Sequence, residues 1–127
     1  MNPGEAFVGF DFQGHLWFVL TGPDAEGRVV VVNITTHGRS PICARGDCFV
    51  LAPGDHPFIT RESCVFWRGA TFAEDAALEA ARERRTLDLR PPLRMALLRE
   101  MQRRVADSPY VPDRVRRAVR AHHGGAG

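Results

Sequence analysis

The run of β-branched residues at positions 28–36, "RVVVVNITT", limits the fold more than any other stretch of the sequence. Valine, isoleucine and threonine branch at Cβ, which favours the extended backbone of a strand over that of a helix. No polar residue alternates with the four valines, so both faces of this part of the segment are apolar. The run therefore predicts a central strand that is buried on both faces.

Shorter apolar segments on either side of this run predict further strands. "HLWFVL" (15–20) ends at the turn sequence "TGPDAEG" (21–27), and this order predicts a hairpin with residues 28–36. The other segments with strand character are "AFVGFDF" (6–12, an edge strand or a lead-in), "CFVLAP" (48–53) and "SCVFWRGATF" (63–72). Four or five short strands, interrupted by glycine and proline, indicate a small barrel or a strongly bent sheet.

After residue 73 the pattern becomes helical. Thr71 and Glu74 have the spacing of a capping box in front of the alanine-rich "EDAALEAARERR". In residues 93–108 the apolar side chains recur every four positions and form one stripe, which predicts a second helix. A third, short helix follows Pro112, and its arginines are expected to be solvated. The predicted fold is thus mainly β with two or three C-terminal helices.

The length of 127 residues suits a single domain, residues 1–127, with a β body (1–73) and a helical appendage (74–127). The body holds five arginines and seven acidic residues, whereas the appendage holds twelve arginines and eight acidic residues. The chain has no lysine. Either a nucleotide-composition bias has replaced lysine by arginine, or the basic helices bind a polyanionic partner.

The densest polar chemistry of the β half lies in "GDHP", residues 54–57. Glycine, aspartate and proline are ordinary turn residues, so the segment is interpreted first as a turn between two strands. The alternative is that Asp55 and His56 supply a carboxylate and an imidazole for proton transfer. In the predicted hairpin, His15 also lies towards the same end of the sheet as Thr35 and Thr36. That end is either ordinary strand-end polarity or a cleft for a phosphate group.

Three cysteines, without a recognisable signal peptide, favour reduced thiols in a cytoplasmic protein. Cys43 and Cys48 are spaced in a way that suits a structural zinc site, although no second pair of ligands accompanies them. No apolar run is long enough to span a bilayer, so no membrane association is expected.

The order of these segments resembles that of the MazF/PemK-like toxins, whose fold is a small SH3-like β-barrel. The resemblance is carried by "HLWFVLTGP", "VVVVNITT", "CFVLAPGDHPF" and "SCVFWRGA". The chain is similar above all to PemK-like relatives that contain a "GDHPFI" segment. The chain lacks the Gly-Asp and Arg-Pro pairs with which the usual toxins begin. The resemblance therefore extends to type and order of segments rather than to identity.

The resemblance implies a bacterial toxin–antitoxin protein that cleaves single-stranded RNA without a metal or another cofactor. It implies proton transfer by His56 and Asp55, with His15 as the reserve acid or base, and charge stabilisation by Arg61. Thr35, Thr36 and Ser63 would contact the substrate. A homodimer and an acidic antitoxin are the implied partners. The alternative is a non-catalytic SH3-like protein that binds a protein or a nucleic acid, with or without zinc.

Overall fold

The computed structural model describes residues 1–10, 14–36 and 48–126, which form seven strands and three α-helices. The strands are β1 (Ala6–Val8), β2 (Trp17–Val19), β3 (Arg28–Thr36), β4 (Cys48–Leu51), β5 (Ser63–Phe66), β6 (Thr71–Glu74) and β7 (Asp88–Arg90). The helices are α1 (Asp75–Glu83), α2 (Met95–Asp107) and α3 (Asp113–Ala126). None of the helices in these ranges is long and apolar enough to cross a membrane.

The strands form one open, antiparallel sheet around β3. Its order is β4-β5-β3-β2-β1-β7, and β6 pairs with the first half of β3. β2 also pairs with β3, with Phe18 opposite Val32, which confirms the predicted hairpin. The second half of β3 pairs with β5. The prediction of a β-sheet followed by C-terminal helices is confirmed, but the fold is mixed β/α, and the described strands do not close into a barrel.

β3 is buried on both faces, as its sequence predicts. Val29 and Val31 face the same apolar cluster as Leu78 of α1. Val30 and Val32 face a second cluster, which contains Met101 of α2 and also residues of α3. Since side chains alternate along a strand, four consecutive valines supply both clusters. The sheet therefore lies between α1 on one face and α2 with α3 on the other.

The predicted fourth strand, residues 63–72, is interrupted. β5 ends at Phe66, a 3-10 turn follows at Trp67–Gly69, and β6 continues along β3. The capping box proposed for Thr71 and Glu74 is wrong, because both residues lie in β6, where their backbone groups pair with β3. α1 begins at Asp75, and the Glu74 side chain makes no capping hydrogen bond.

The two C-terminal helices are confirmed, and α3 is longer than predicted because it continues to Ala126.

β7, which the sequence did not predict, pairs with β1 at the edge of the sheet. Gly9 allows this edge to form. Its φ is +100°, and a Cβ at this position would lie 2.4 Å from the carbonyl oxygen of Thr86.

The α-amino group of Met1 is tied to α1 by ion pairs with Asp75 and Glu79, the second at 3.1 Å. Burial alone would lower the pKa of this amino group, but the hydrogen bonds and charges of the two carboxylates outweigh burial and raise its pKa. The ion pairs thus link the start of the chain to a helix more than 70 residues away.

Candidate functional site

An open cleft of about 360 Å³ lies at one end of the β2–β3 hairpin. Its polar lining consists of His15, which precedes β2, Thr35 of β3 and Ser63, the first residue of β5. Pairing of the three strands brings these residues together, because Ile34 bonds to Leu16 across the hairpin and Thr35 lies opposite Cys64. The predicted proximity of His15 and Thr35 is therefore observed.

His15 is half-buried, and its ring is oriented by a neighbour on β3. Asn33 Nδ2 lies 3.4 Å from His15 Nδ1. Because an amide NH₂ group donates, Nδ1 accepts in this pair, and the proton of the neutral ring lies on Nε2. Asn33 is therefore a positioning residue for the one imidazole that lines the cleft in the described part of the chain.

The two hydroxyl residues of the cleft differ in their surroundings. Ser63 is buried, and its Oγ donates to the carbonyl oxygen of Arg61 at 2.9 Å, which leaves the hydroxyl lone pairs as acceptors. Thr35 is half-buried. Arg61 is exposed, and its side chain is not among the residues that line the cleft. A substrate contact was also predicted for Thr36, but its side chain lies outside the described part of the structure.

Phe58 forms an apolar wall of the cleft and is 50% exposed. The Arg90 guanidinium lies 4.6 Å from the centre of its ring, and the His56 ring contacts it edge-on at 6.5 Å. Other large aromatic side chains, among them Trp17, Phe18 and Trp67, are buried in the core. Phe58 differs, because it is a large ring that remains accessible beside polar groups.

His56 is not part of this cleft. It is only 2% exposed, and it packs against Phe18 with 5.5 Å between the ring centres. Its Nδ1 accepts the Phe58 N–H at 3.0 Å, and its Nε2 donates to the carbonyl oxygen of Pro91. With both ring nitrogens engaged inside the protein, His56 stabilises the loop between β4 and β5.

Asp55 also stabilises this loop. One carboxylate oxygen accepts the Ala52 N–H at 2.8 Å, and the other accepts from Arg94 at 3.2 Å. Gly54, with φ of +92°, bonds to Ile59 across the turn. The turn interpretation of "GDHP" is therefore confirmed. Asp55 and His56 bind different partners, and the geometry gives no support to the proton transfer predicted for them.

The zinc alternative depended on Cys43 and Cys48. Cys43 lies outside the described residues. Cys48 is disulfide-bonded, so the prediction of reduced thiols is wrong for this residue, and its sulfur is not a thiolate that could bind a metal. Cys64 is a buried thiol in β5. In the part of the chain that the structure describes, no group of three or more His, Cys, Asp or Glu side chains is placed to hold a metal ion.

Sequence reasoning missed two functional candidates, Asn33 and Phe58. The position of Asn33 in the strand register, two residues before Thr35, could have indicated a contact with His15. Nothing in the sequence distinguishes Phe58 from a core phenylalanine.

Comparison of the chain with protein-family models, curated proteins and solved structures gives no match. The interpretation of the cleft therefore rests on its geometry.

Proposed function

We propose that the protein binds single-stranded RNA in the cleft of His15, Thr35 and Ser63 and cleaves it without a metal ion. The observation that carries the proposal is the convergence of one imidazole and two hydroxyls beside an exposed aromatic ring. The imidazole would face the reacting 2′-hydroxyl of a ribonucleotide, the two hydroxyls its sugar–phosphate backbone, and the aromatic ring its base.

Binding in the cleft would use stacking and phosphate contacts. Phe58 offers a ring to an unpaired base, and stacking of this kind contributes about 1–3 kcal/mol per base. The Thr35 hydroxyl can donate to a phosphate oxygen, and the Ser63 oxygen, whose own proton bonds to Arg61, can accept from a sugar hydroxyl. Both contacts position the chain without selecting a sequence. A single strand fits better than a duplex, because its bases are free to leave the stack.

Cleavage would proceed by attack of the substrate's own 2′-hydroxyl on the adjacent phosphorus. For this step His15 Nδ1 exchanges its hydrogen bond with Asn33 for one with the 2′-hydroxyl. Nδ1 takes that proton as the new P–O bond forms and the bond from phosphorus to the 5′-oxygen breaks, and water protonates the departing 5′-oxygen. The products are a 2′,3′-cyclic phosphate and a 5′-hydroxyl. Arg61, two residues before Ser63, lies outside the cleft lining, and its exposed side chain would have to turn towards the cleft to supply positive charge for the phosphorane. In this proposal His15 takes the role that the sequence had given to His56.

The proposal includes the PemK-like relationship. A long central strand, followed by two strand segments joined through a short 3-10 turn, is compatible with a strongly opened SH3-like barrel. A homodimer and an acidic antitoxin that binds the arginine-rich helices are further parts of this proposal, as is a bacterial cytoplasmic location.

RNA binding without cleavage is the second candidate. The observation that favours it is that His15 is the one imidazole lining the cleft among the described residues, whereas cleavage requires both a base and an acid. Product analysis distinguishes the two functions, since a binding protein retains the RNA intact.

The test is incubation of the purified protein with single-stranded RNA in EDTA, followed by analysis of the RNA ends. The proposal expects 2′,3′-cyclic phosphate ends. Fluorescence anisotropy with Phe58→Ala, which is expected to weaken RNA binding at least fivefold, tests the binding part. Phe10→Ala is the matched control, because Phe10 is also exposed but contacts Phe7 and Trp17 instead. Intact RNA with a strong Phe58 effect would favour the second candidate, and neither cleavage nor binding would refute both.

A further inference from the structure

A second and larger pocket, of about 560 Å³, lies between the β2–β3 turn and α3. Its walls include Pro23 and Asp24 of the turn, Phe72 of β6, and Arg114 and Arg117 of α3. The first cleft lies near His15 and this pocket near Thr21, which are at opposite ends of the hairpin. The two sites are therefore separate, and the inference below does not depend on the function proposed for the first.

One stripe of α3 faces this pocket. Arg114, Arg117, Ala118 and Ala121 are spaced at i, i+3, i+4 and i+7, so they lie on one side of the helix. The two alanines leave space, and the two arginines bring positive charge. This combination gives α3 a surface suited to a ligand with both an anionic part and an apolar part.

The arginines of α3 fall into two groups. Arg116 and Arg120 donate to the carbonyl oxygens of Ser108 and Ala106 at 3.0 and 2.8 Å, so they satisfy backbone groups at the C-terminal end of α2. Arg114 and Arg117 make no ion pair with any described side chain. Two like charges one helical turn apart repel each other, and an anion between them would remove this repulsion.

The charged groups of the opposite wall are already paired with each other. The Arg28 guanidinium lies 4.3 Å from the centre of the Phe72 ring and pairs with Asp24 and Glu26 at 3.4 and 3.3 Å. The backbone N–H of Arg28 also bonds to Asp24 and holds the pKa of that carboxyl below its usual value. Arg28 is thus fixed by its partners, and the uncompensated positive charge of the lining belongs to Arg114 and Arg117.

We propose that this pocket binds a nucleoside 5′-phosphate, with the phosphate between Arg114 and Arg117 and the base against Pro23, Phe72 and Ala118. Guanidinium groups bind phosphate through paired hydrogen bonds. The volume argues for an organic ligand rather than phosphate alone, since it lies within the range of about 300–1,000 Å³ that is typical of small-molecule sites. A free nucleotide and the 5′-phosphorylated end of an RNA chain carry the same group.

The test is isothermal titration of the full chain at low ionic strength with adenosine 5′-monophosphate, adenosine and inorganic phosphate. The proposal expects the nucleotide to bind at least tenfold more tightly than either of its parts. A 5′-phosphorylated hexanucleotide that binds as tightly as the nucleotide, and at least tenfold more tightly than the same hexanucleotide with a 5′-hydroxyl, would show that the pocket accepts an RNA end. Equal binding of the two hexanucleotides would assign the pocket to free nucleotides. Absence of saturable nucleotide binding, or equal binding of adenosine, would overturn the proposal.

Three variants locate the ligand. Arg114→Gln with Arg117→Gln is expected to weaken nucleotide binding at least tenfold. Arg99→Gln is the matched control, because Arg99 is an exposed arginine of α2 outside this pocket, and it should change affinity less than twofold. Ala121→Leu fills the pocket without a change of charge and should weaken binding of the nucleotide more than binding of inorganic phosphate. Thermal unfolding of each variant checks the fold, and unchanged affinity in the double variant would refute the site.

Discussion

A buried imidazole is stable in a protein when both of its ring nitrogens have hydrogen-bond partners, and His56 meets this condition. It accepts from the Phe58 backbone and donates to Pro91, so it connects the β4–β5 loop to the segment before α2. The same contact places Phe58 at the edge of the His15 cleft. His56 therefore holds a cleft residue in place, and substrate contact is the role proposed for His15.

Replacement of His56 tests this structural role. His56→Ala is expected to lower the free energy of unfolding by about 2–4 kcal/mol, because it creates a cavity and leaves two partly buried polar groups without partners. His56→Gln retains a donor for Pro91, so its free energy of unfolding should fall clearly less than that of the alanine variant. Urea unfolding measures both values. An alanine variant as stable as the wild type would contradict a structural role.

Local sequence predicted those elements whose own pattern decides their structure. The valines of β3 and the apolar stripe of α2 are of this kind, and both elements form where the sequence places them. β7 and the break at Trp67–Gly69 were not predicted, because pairing with distant strands determines them. Leu89 of β7, for example, alternates with Asp88 and Arg90, but this apolar alternation spans only residues 87–90, and Leu89 itself is 39% exposed. The direction of His56 was likewise set by Pro91, a partner 35 residues away.

The β1–β7 edge provides a test at this scale. Gly9 and Gly14 both have positive φ, +100° and +73°, but only Gly9 approaches another backbone, that of Thr86. Alanine at Gly14 should therefore cost about 1 kcal/mol, from backbone strain alone. Gly9→Ala should cost at least about 2 kcal/mol more, because β7 must move away. Chemical unfolding of the two variants compares them, and equal losses would refute the close packing of this edge.

At the scale of the whole molecule, one sheet is covered on both faces, and its ends remain open for the two pockets. α1 covers one face, and α2 with α3 covers the other. The α-amino group of Met1 joins the first face through Asp75 and Glu79. The site at His15 lies where β2, β3 and β5 meet, so it depends on correct assembly of the central strands.

The ion pairs of Met1 predict a pH dependence. The folded pKa of the amino group is raised above its ordinary value of 8.0, so its stabilising effect is present below that value and is lost as the pH rises through the folded pKa. The unfolding free energy should therefore fall at alkaline pH, by less than about 1 kcal/mol because the carboxylates are partly exposed. Asp75→Asn with Glu79→Gln should remove most of this decrease. Urea unfolding from pH 7 to 10 measures it, and an unchanged slope in the variant would contradict the assignment.

The central claim is that the His15 cleft, and not the Asp55–His56 turn, acts on RNA. The most direct measurement is single-turnover cleavage of single-stranded RNA in EDTA by the wild type, His15→Ala, His56→Gln and the control His122→Ala, whose histidine lines the other pocket. The account predicts a loss of at least 100-fold for His15→Ala at unchanged stability, and rates within about fivefold of the wild type for the other two when folded. Full activity of His15→Ala, or loss of activity in a stably folded His56→Gln protein, would contradict it.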